Sequence, residues 1–171
     1  MPKNLALWES RPSEPFEVTK QLTSELVREM GADGVGVAVF ATDSTRDLVL
    51  ASDDVAERLD ELQFTLGEGP CLDADRFDSP ERHDDMAGDQ ARTRWSLFAS
   101  EALSLGAASV YAYPLDGGGA PFGVLELYGR SPIALTSRDD VTCRSYAHTI
   151  AYAVVSELAP AYALTGGSGG V

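Results

Sequence analysis

Cysteine and histidine are scarce in this chain of 171 residues, which contains two of each. Two cysteines are too few for a disulfide-stabilised scaffold, and they fit a reducing, cytoplasmic setting. His83 precedes Asp84 and Asp85, but alternate residues of a strand face opposite ways, so a solvated loop explains this cluster better than a metal site. We therefore expect no bound metal.

Long apolar runs and basic stretches are also missing. No run approaches the about 18 apolar residues that a membrane-spanning helix needs. The first residues, MPKNLALWES, are too short and too polar for a secretory signal. Lys and Arg number 13 against 27 Asp and Glu, which gives a net charge of −14. Such a surface repels phosphate backbones, so we expect neither direct nucleic-acid binding nor membrane association.

The hydrophobic pattern predicts one domain of class α+β. We place it at residues 14–162, between a flexible leader at 1–13 and a glycine-rich tail at 163–171. The predicted order is a helix, a hairpin, a helix, an irregular loop, a helix, a hairpin and a long helix. The first helix is placed at 14–30 with Ser13 as its cap, the first hairpin at 34–41 and 48–52, and the second helix from about 54. The loop covers 75–93 and could include a short edge strand near 81–84. The third helix lies around 95–106, the second hairpin at 108–115 and 121–129, and the last helix runs from Thr136 or Ser137 until Pro160 breaks or kinks it. Adjacent strands joined by short turns predict an antiparallel sheet.

The stretch LGEGPCLDA, from Leu66 to Ala74, raises the question of a reactive site. Pro70 suits the first position of a short helix, which places Cys71 in its first turn, where a thiol pKa is lowered. Neighbouring carboxylates oppose that effect, and free cysteines are usually buried, so a structural role is favoured. The stretch also lacks the lysine and the glycine spacing of phosphate-binding loops.

A group of aromatic residues lies on elements that a single sheet face would bring together. A ligand pocket and ordinary core packing explain this group about equally well, although buried tyrosine hydroxyls need polar partners and slightly favour a pocket. The group contains Phe64, which we expect to face inward, and Trp95, Phe98, Tyr111, Tyr113 and Tyr128.

Four stretches, in this order, resemble the GAF domain over about residues 14–160. They are GADGVGVAVF, AERLDELQFTLGEGPCLDA, RWSLFASEALSLGAASVYAYPL and FGVLELYG. The stretch at Leu66–Ala74 is most similar to GAF domains of actinobacterial GAF–ANTAR regulators, in which "xLGEGPCxDA" is typical. The resemblance implies a central antiparallel sheet of about five to six strands with helices on both faces. It also implies small-molecule sensing in signal transduction or transcriptional regulation, and homodimerisation through the terminal helices.

The resemblance sets the expected site and its alternatives. We expect a non-enzymatic sensor whose ligand, and hence any cofactor, the sequence does not identify. The candidate ligand-binding residues are Phe64, Cys71, Trp95, Phe98, Tyr111 and Tyr113. A purely structural dimerisation module is one alternative. A thiol-redox protein related to free methionine-R-sulfoxide reductase is a weaker one, because the loop ERHDDMAGD lacks the second cysteine of those enzymes.

The ANTAR module, a helical RNA-binding unit, has no counterpart before the last residue, Val171. We therefore expect no direct RNA antitermination. The chain is either a stand-alone GAF protein or a fragment of a longer regulator, and a separate output protein is an expected partner.

Overall fold

A computed structural model describes residues 15–42 and 45–165, with the side chains of Thr42 and of residues 159–165 outside the description. These ranges contain six helices and five strands. They are α1 (Glu17–Met30), β1 (Gly34–Thr42), β2 (Thr45–Ala51), α2 (Asp54–Leu66), α3 (Pro70–Phe77), β3 (Glu81–His83), α4 (Asp89–Arg94), α5 (Ser96–Ser104), β4 (Ser109–Leu115), β5 (Gly123–Gly129) and α6 (Ser137–Thr165).

The strands form one sheet in the order β2-β1-β5-β4-β3, and every pairing is antiparallel. Helices α1 and α6 contact one face of this sheet, and α2 and α3 contact the other. The structure therefore confirms the α+β class and a five-stranded antiparallel sheet with helices on both faces.

The face beneath α1 and α6, called here the α6 face, holds the larger apolar core. Odd-numbered residues of β1, such as Val35 and Val37, point to this side because side chains alternate along a strand. The core includes Leu26 of α1, Leu125 and Leu127 of β5, and Cys143, Ile150 and Val154 of α6. Burying these side chains against the sheet fixes both terminal helices on the domain.

The opposite face, called here the α3 face, carries two separate clusters. The larger one lies under α2 and α5 and includes Leu59, Met86, Trp95, Phe98 and Tyr128. The smaller one, under α3, contains only Cys71, Ala74, Ala112 and Val124, with Phe40 packed against it. Because the side chains of this cluster are mostly small, α3 gains less from apolar burial than the longer helices do.

The start of α1 differs from the predicted one, and its cap comes from α6. Helix α1 begins at Glu17, and Phe16 at its N-cap provides no side-chain hydrogen bond, whereas the predicted cap Ser13 lies outside the described residues. The carboxylate of Glu157 on α6 instead accepts the main-chain N–H groups of Val18 and Thr19, at 3.2 and 2.8 Å. A carboxylate at this end of a helix also complements its dipole.

The region predicted to be irregular, 75–93, contains more regular structure than its composition suggests. The possible edge strand near 81–84 is confirmed as β3, and α4 follows it as an unpredicted helix of six residues. Helix α6 continues through Pro160 to Thr165, so of the predicted break or kink at this proline the break is wrong, and the kink stays a prediction. A proline removes one hydrogen bond from a helix, and a long helix can continue around that loss.

Candidate functional site

The segment between α2 and α3 turns the chain sharply. Gly67, with φ of 67°, ends α2, and Gly69, with φ of 145°, precedes Pro70 at the first position of α3. A Cβ atom on Gly69 would lie only 2.5 Å from the Oε1 atom of Gln63. Both glycines are therefore required, one for its left-handed conformation and the other also for its close approach to α2. The predicted short helix at Pro70 is confirmed.

Three polar side chains meet between α3 and the sheet, and we call them the Glu126 cluster: Gln63, Cys71 and Glu126. Gln63 Nε2 donates to Glu126 Oε2 at 2.8 Å and to the main-chain oxygen of Leu59 at 3.1 Å. Cys71 donates twice, from its main-chain N–H to Gln63 Oε1 at 2.8 Å and from Sγ to Glu126 Oε2 at 2.7 Å. The exposed fractions are 0% for Gln63 and 6% for both Cys71 and Glu126.

Glu126 occupies the middle of the sheet, with small residues on either side of it. Its register partners are Gly36 on β1 and Ala112 on β4. Burial is the main cause that raises the pKa of Glu126 from 4.5 to about 7, against the opposing effect of the hydrogen bonds from Cys71 and Gln63. The carboxyl group therefore changes its charge close to neutral pH.

Cys71 has the opposite of a reactive environment. Burial, followed by the negative charge of Glu126, raises the pKa of this thiol well above its ordinary value. The thiolate is the nucleophilic form of cysteine, so the position in the first turn of α3 does not make Cys71 reactive. The geometry supports the structural interpretation of this cysteine.

Arg46 and Phe64 lie at the edge of the same face. The Arg46 side chain is 3% exposed, and its Nε atom pairs with Asp60 Oδ1 at 3.0 Å while Nη2 donates to the main-chain oxygen of Asp60. Phe64 lies 5.4 Å from this guanidinium and is 52% exposed, so the expectation that Phe64 faces inward is wrong. Ala56, Leu59 and Gln63 form the buried side of α2, and the residue after Gln63 is rotated away from it.

Trp95 is buried beside α3 and joined to it by a polar network. Its Nε1 atom donates to Asp73 Oδ2 at 3.0 Å, and Arg94 links Asp73 to Glu81 at 2.8 and 2.6 Å. His83 meets the Trp95 ring edge-on, with ring centres 4.5 Å apart, and contacts Glu81 at 3.0 Å. This network connects α3, β3 and the start of α5.

Phe98 is fully buried in the larger cluster of the α3 face. Its main-chain N–H, together with that of Leu97, donates to Glu68 Oε1, each at 3.0 Å. The LGEGPCLDA segment therefore supplies the cap of α5, since Trp95 at the N-cap provides no side-chain bond. This capping carboxylate fixes the segment at a second point.

Tyr111 and Tyr113 lie on the other side of the sheet, under α6. Tyr111 donates from its hydroxyl to Asp84 at 2.8 Å and to the main-chain oxygen of Ile133, and Tyr113 donates to Asp140 at 3.0 Å. The predicted convergence of the aromatic group over one face is therefore wrong. In β4, residues 111 and 113 point away from the face on which 110 and 112 lie. Ligand binding by the six candidate residues stays a prediction.

The polar residues of the α3 face were not selected from the sequence. Glu126 interrupts the apolar run GVLELYG, and Gln63 interrupts the apolar stripe of α2. A single polar residue on the buried side of an amphipathic pattern is the signal that identifies both. Arg46 gave no such signal, because it lies within the turn sequence TDSTRD.

The α3 face is closed over the Glu126 cluster. Among the surface clefts in the described part of the chain are four of about 190 to 770 Å³, and one of them, of about 770 Å³, lies between α1 and β2. Of the six candidate ligand-binding residues, Tyr113 alone lines one of these four, a cleft of about 190 Å³ beside α6. Among the described helices, none combines the length and apolar character required to cross a bilayer.

Solved structures of bacterial and archaeal proteins share this fold at low sequence identity. A domain of a putative two-component sensor histidine kinase from Sinorhizobium meliloti 1021 has 15% identity and a TM-score of 0.66, covering 87% of this chain and 95% of that one. The GAF domain of a phosphoenolpyruvate-protein phosphotransferase from Coxiella burnetii has 12% identity and a TM-score of 0.64, with coverages of 90% and 89%.

An enzyme is among the structural neighbours as well. The type II free methionine-R-sulfoxide reductase from Thermoplasma acidophilum has 15% identity and a TM-score of 0.55, covering 81% of this chain and 95% of that one. These identities support a shared fold and nothing finer. No curated protein sequence matches the chain. A family model described as the GAF domain matches residues 13–155, and the chain therefore belongs to the GAF domain family.

Proposed function

We propose that this chain is a non-enzymatic sensory or regulatory domain that binds a small molecule between α3 and the sheet. GAF domains are typically sensory and regulatory domains of signalling proteins. The observation that carries the proposal is the Glu126 cluster, in which three hydrogen-bonding side chains are buried under a small helix. Buried polar groups with small neighbours are what a pocket offers to a polar ligand.

The proposed site uses part of the predicted residue set. Cys71 lies within it, and Trp95 and Phe98 belong to the adjacent cluster on the same face. Phe64 lies at the edge, over Arg46. Tyr111 and Tyr113 are outside the site because the sheet separates them from α3.

Native mass spectrometry of the protein as purified tests the proposal directly. We expect a bound small molecule, or one acquired from the low-molecular-weight fraction of a cell extract. In the Ala112→Leu variant the added side chain projects into the buried cluster beneath α3, where the ligand is proposed to bind, and the adduct should be lost. Tyr113→Phe, a change on the other face, is the matched control and should retain it. An adduct that survives Ala112→Leu, or no adduct in any sample, contradicts this site.

We further propose that two copies pair through the terminal helices. Large apolar side chains on α6 are more than half exposed at Val141, Tyr152 and Val155, and α1 adds Val18. The three α6 positions differ by 11 and 3 residues, which keeps them on one side of a helix because both separations are close to whole turns. A second copy of the same stripe would cover them.

Sedimentation of Tyr152→Glu and Val155→Glu tests the dimer. Each change places a charge in the proposed interface and should shift the protein to monomer. Leu97→Glu is the matched control, because Leu97 is equally exposed, at 60%, on α5. A wild-type monomer at high concentration, or an effect of Leu97→Glu as large as that of Val155→Glu, contradicts the pairing.

Several observations favour this reading over the redox alternative. Cys71 and Cys143 belong to clusters on opposite faces of the sheet, so they are not placed to form a disulfide. The thiol of Cys71 is also held protonated.

The Leu66–Ala74 stretch supports a kinship with GAF domains of actinobacterial GAF–ANTAR regulators, and with it a cytoplasmic signalling role through a separate output protein.

A further inference from the structure

Helix α3 has the construction of a lid. It is eight residues long and begins directly after the Gly67–Gly69 turn. At its other end Asp78 has φ of 46°, and Ser79 and Pro80 follow. Its apolar contacts to the sheet are made by Cys71 and Ala74 within a cluster of mostly small side chains. A helix held in this way needs its polar contacts to stay closed.

One set of the polar contacts that hold α3 converges on a single carboxyl oxygen, while Asp73 of the same helix is bonded to Arg94 and Trp95. Glu126 Oε2 accepts from Cys71 Sγ, and Gln63 connects the same oxygen to the Cys71 main-chain N–H. The first turn of α3 is therefore fixed to the centre of the sheet at one residue, Cys71, by two contacts that lead to Glu126. Displacement of α3 would break the Cys71 contacts and open Glu126 to water.

Charged and titratable groups face Glu126 from two other elements besides α3. Asp60 on α2 disfavours its ionisation, and Arg46 on β2 favours it, but Arg46 is already paired with Asp60. From α3 the facing group is the neutral thiol of Cys71, and the register neighbours on β1 and β4 are Gly36 and Ala112. An ionised Glu126 would thus be a buried charge held by two neutral donors, which costs free energy until water reaches it.

We propose that Glu126 is a proton-operated latch, which holds α3 against the sheet when its carboxyl group is protonated and releases α3 as the pH rises. In the open form Glu126 is exposed to water and ionises with the ordinary pKa of a glutamate side chain. The latch shares its location with the proposed ligand site but requires no ligand. Its test uses the ligand-free protein, so its failure is distinct from a failure of the ligand-binding proposal.

The thiol of Cys71 reports the opening, because α3 must move before a reagent reaches it. In a Cys143→Ala background, the labelling rate is divided by the rate of the unfolded chain at the same pH. If the open form ionises at the ordinary pKa of 4.5 and the closed form at about 7, the normalised rate rises roughly 70-fold from about pH 5 to about pH 8.

Glu126→Gln is the matched variant, because it retains an acceptor oxygen for Cys71 without a titrating group. Its normalised rate should be independent of pH. Hydrogen exchange of the α3 amides in the wild-type chain provides a second measurement that does not depend on this variant folding. We expect α3 protection to fall with pH more steeply than that of α6. The latch is overturned by any of three results: a wild-type labelling rate that does not change with pH, an equal rise of that rate in Glu126→Gln, or a pH dependence of hydrogen exchange that is the same in α3 and α6.

Discussion

Glu126→Gln provides the sharpest test of the electrostatics of the α3 face through global stability. In the folded chain burial raises the pKa of Glu126 to about 7, whereas its ordinary value is 4.5. A raised pKa means that the native state binds the proton more tightly than the unfolded chain does. The contribution to stability is therefore fully present below the ordinary pKa and is lost as the pH rises through 7.

The size of this effect follows from the shift. The difference of about 2.5 pKa units corresponds to about 3 kcal/mol, of which about 2.5 kcal/mol is lost between about pH 5 and about pH 8. Other groups respond in the opposite sense. Hydrogen bonds from Arg94 and His83 lower the pKa of Glu81 despite its partial burial, so that side chain stabilises the fold as the pH rises. The free energy of unfolding as a function of pH therefore contains contributions of both signs. The difference between the wild type and Glu126→Gln isolates the contribution of Glu126.

Urea unfolding followed by far-UV circular dichroism measures the free energy of unfolding at each pH. Relative to the wild type, Glu126→Gln should gain about 2 to 3 kcal/mol between about pH 5 and about pH 8. Glu101→Gln is the matched control, because Glu101 is exposed on α5, and it should follow the wild type throughout. A Glu126→Gln curve parallel to that of the wild type would refute the assignment of a buried, protonated carboxyl group.

Three further changes test other parts of the site and the fold. Gly69→Ala would place a Cβ atom against the Gln63 side chain, at a backbone conformation that favours glycine. It should lower the free energy of unfolding by about 2 kcal/mol, and an unchanged urea midpoint would contradict that contact. Cys71 should react with a thiol reagent far more slowly in the native protein than in urea, since it is buried and its pKa is raised; comparable rates would restore the reactive interpretation. Glu157→Ala removes the acceptors of two N–H groups at the start of α1 and should lower the free energy of unfolding by about 1 to 2 kcal/mol. Glu157→Gln keeps an acceptor oxygen and should lose less stability. Equal losses in both variants would show that the hydrogen bonds are not responsible.

The elements with strong local signals were predictable from the sequence. The alternation in GVGVAVF and the turn DGGGA between two apolar strands fixed β1 and the β4–β5 hairpin, because side chains alternate along a strand. The start of α6 was predicted at Thr136 or Ser137, and in the structure Thr136 and Asp139 each accept the main-chain N–H group of the other. Helix α4 was missed, since Ala91 is the single apolar residue among its six and one such residue gives no apolar periodicity.

The candidate site was only partly predictable, because its residues come from distant parts of the chain. Cys71 was selected from a local motif, but its partner Glu126 is 55 residues away in sequence. The prediction that the aromatic group converges over one face of the sheet was wrong for a related reason. The predicted elements placed Tyr111 and Trp95 in one set. The parity of position 111 in β4 turns Tyr111 to the α6 face, whereas Trp95, between α4 and α5, packs on the opposite face.

The sequence by itself determined the class of fold, the antiparallel hairpins, the kinship with GAF domains and the short helix after Gly69. The fold class, the hairpins and the helix follow from interactions between residues close in the chain: periodicity, caps and backbone conformations that favour glycine. The kinship rests instead on the resemblance of four sequence stretches to that family. Only the tertiary structure decided that Glu126, Gln63 and Cys71 share one buried cluster and that Tyr111 and Tyr113 lie on the other face. Those facts depend on strand register and on how helices pack across the sheet, which bring together residues that no local pattern connects.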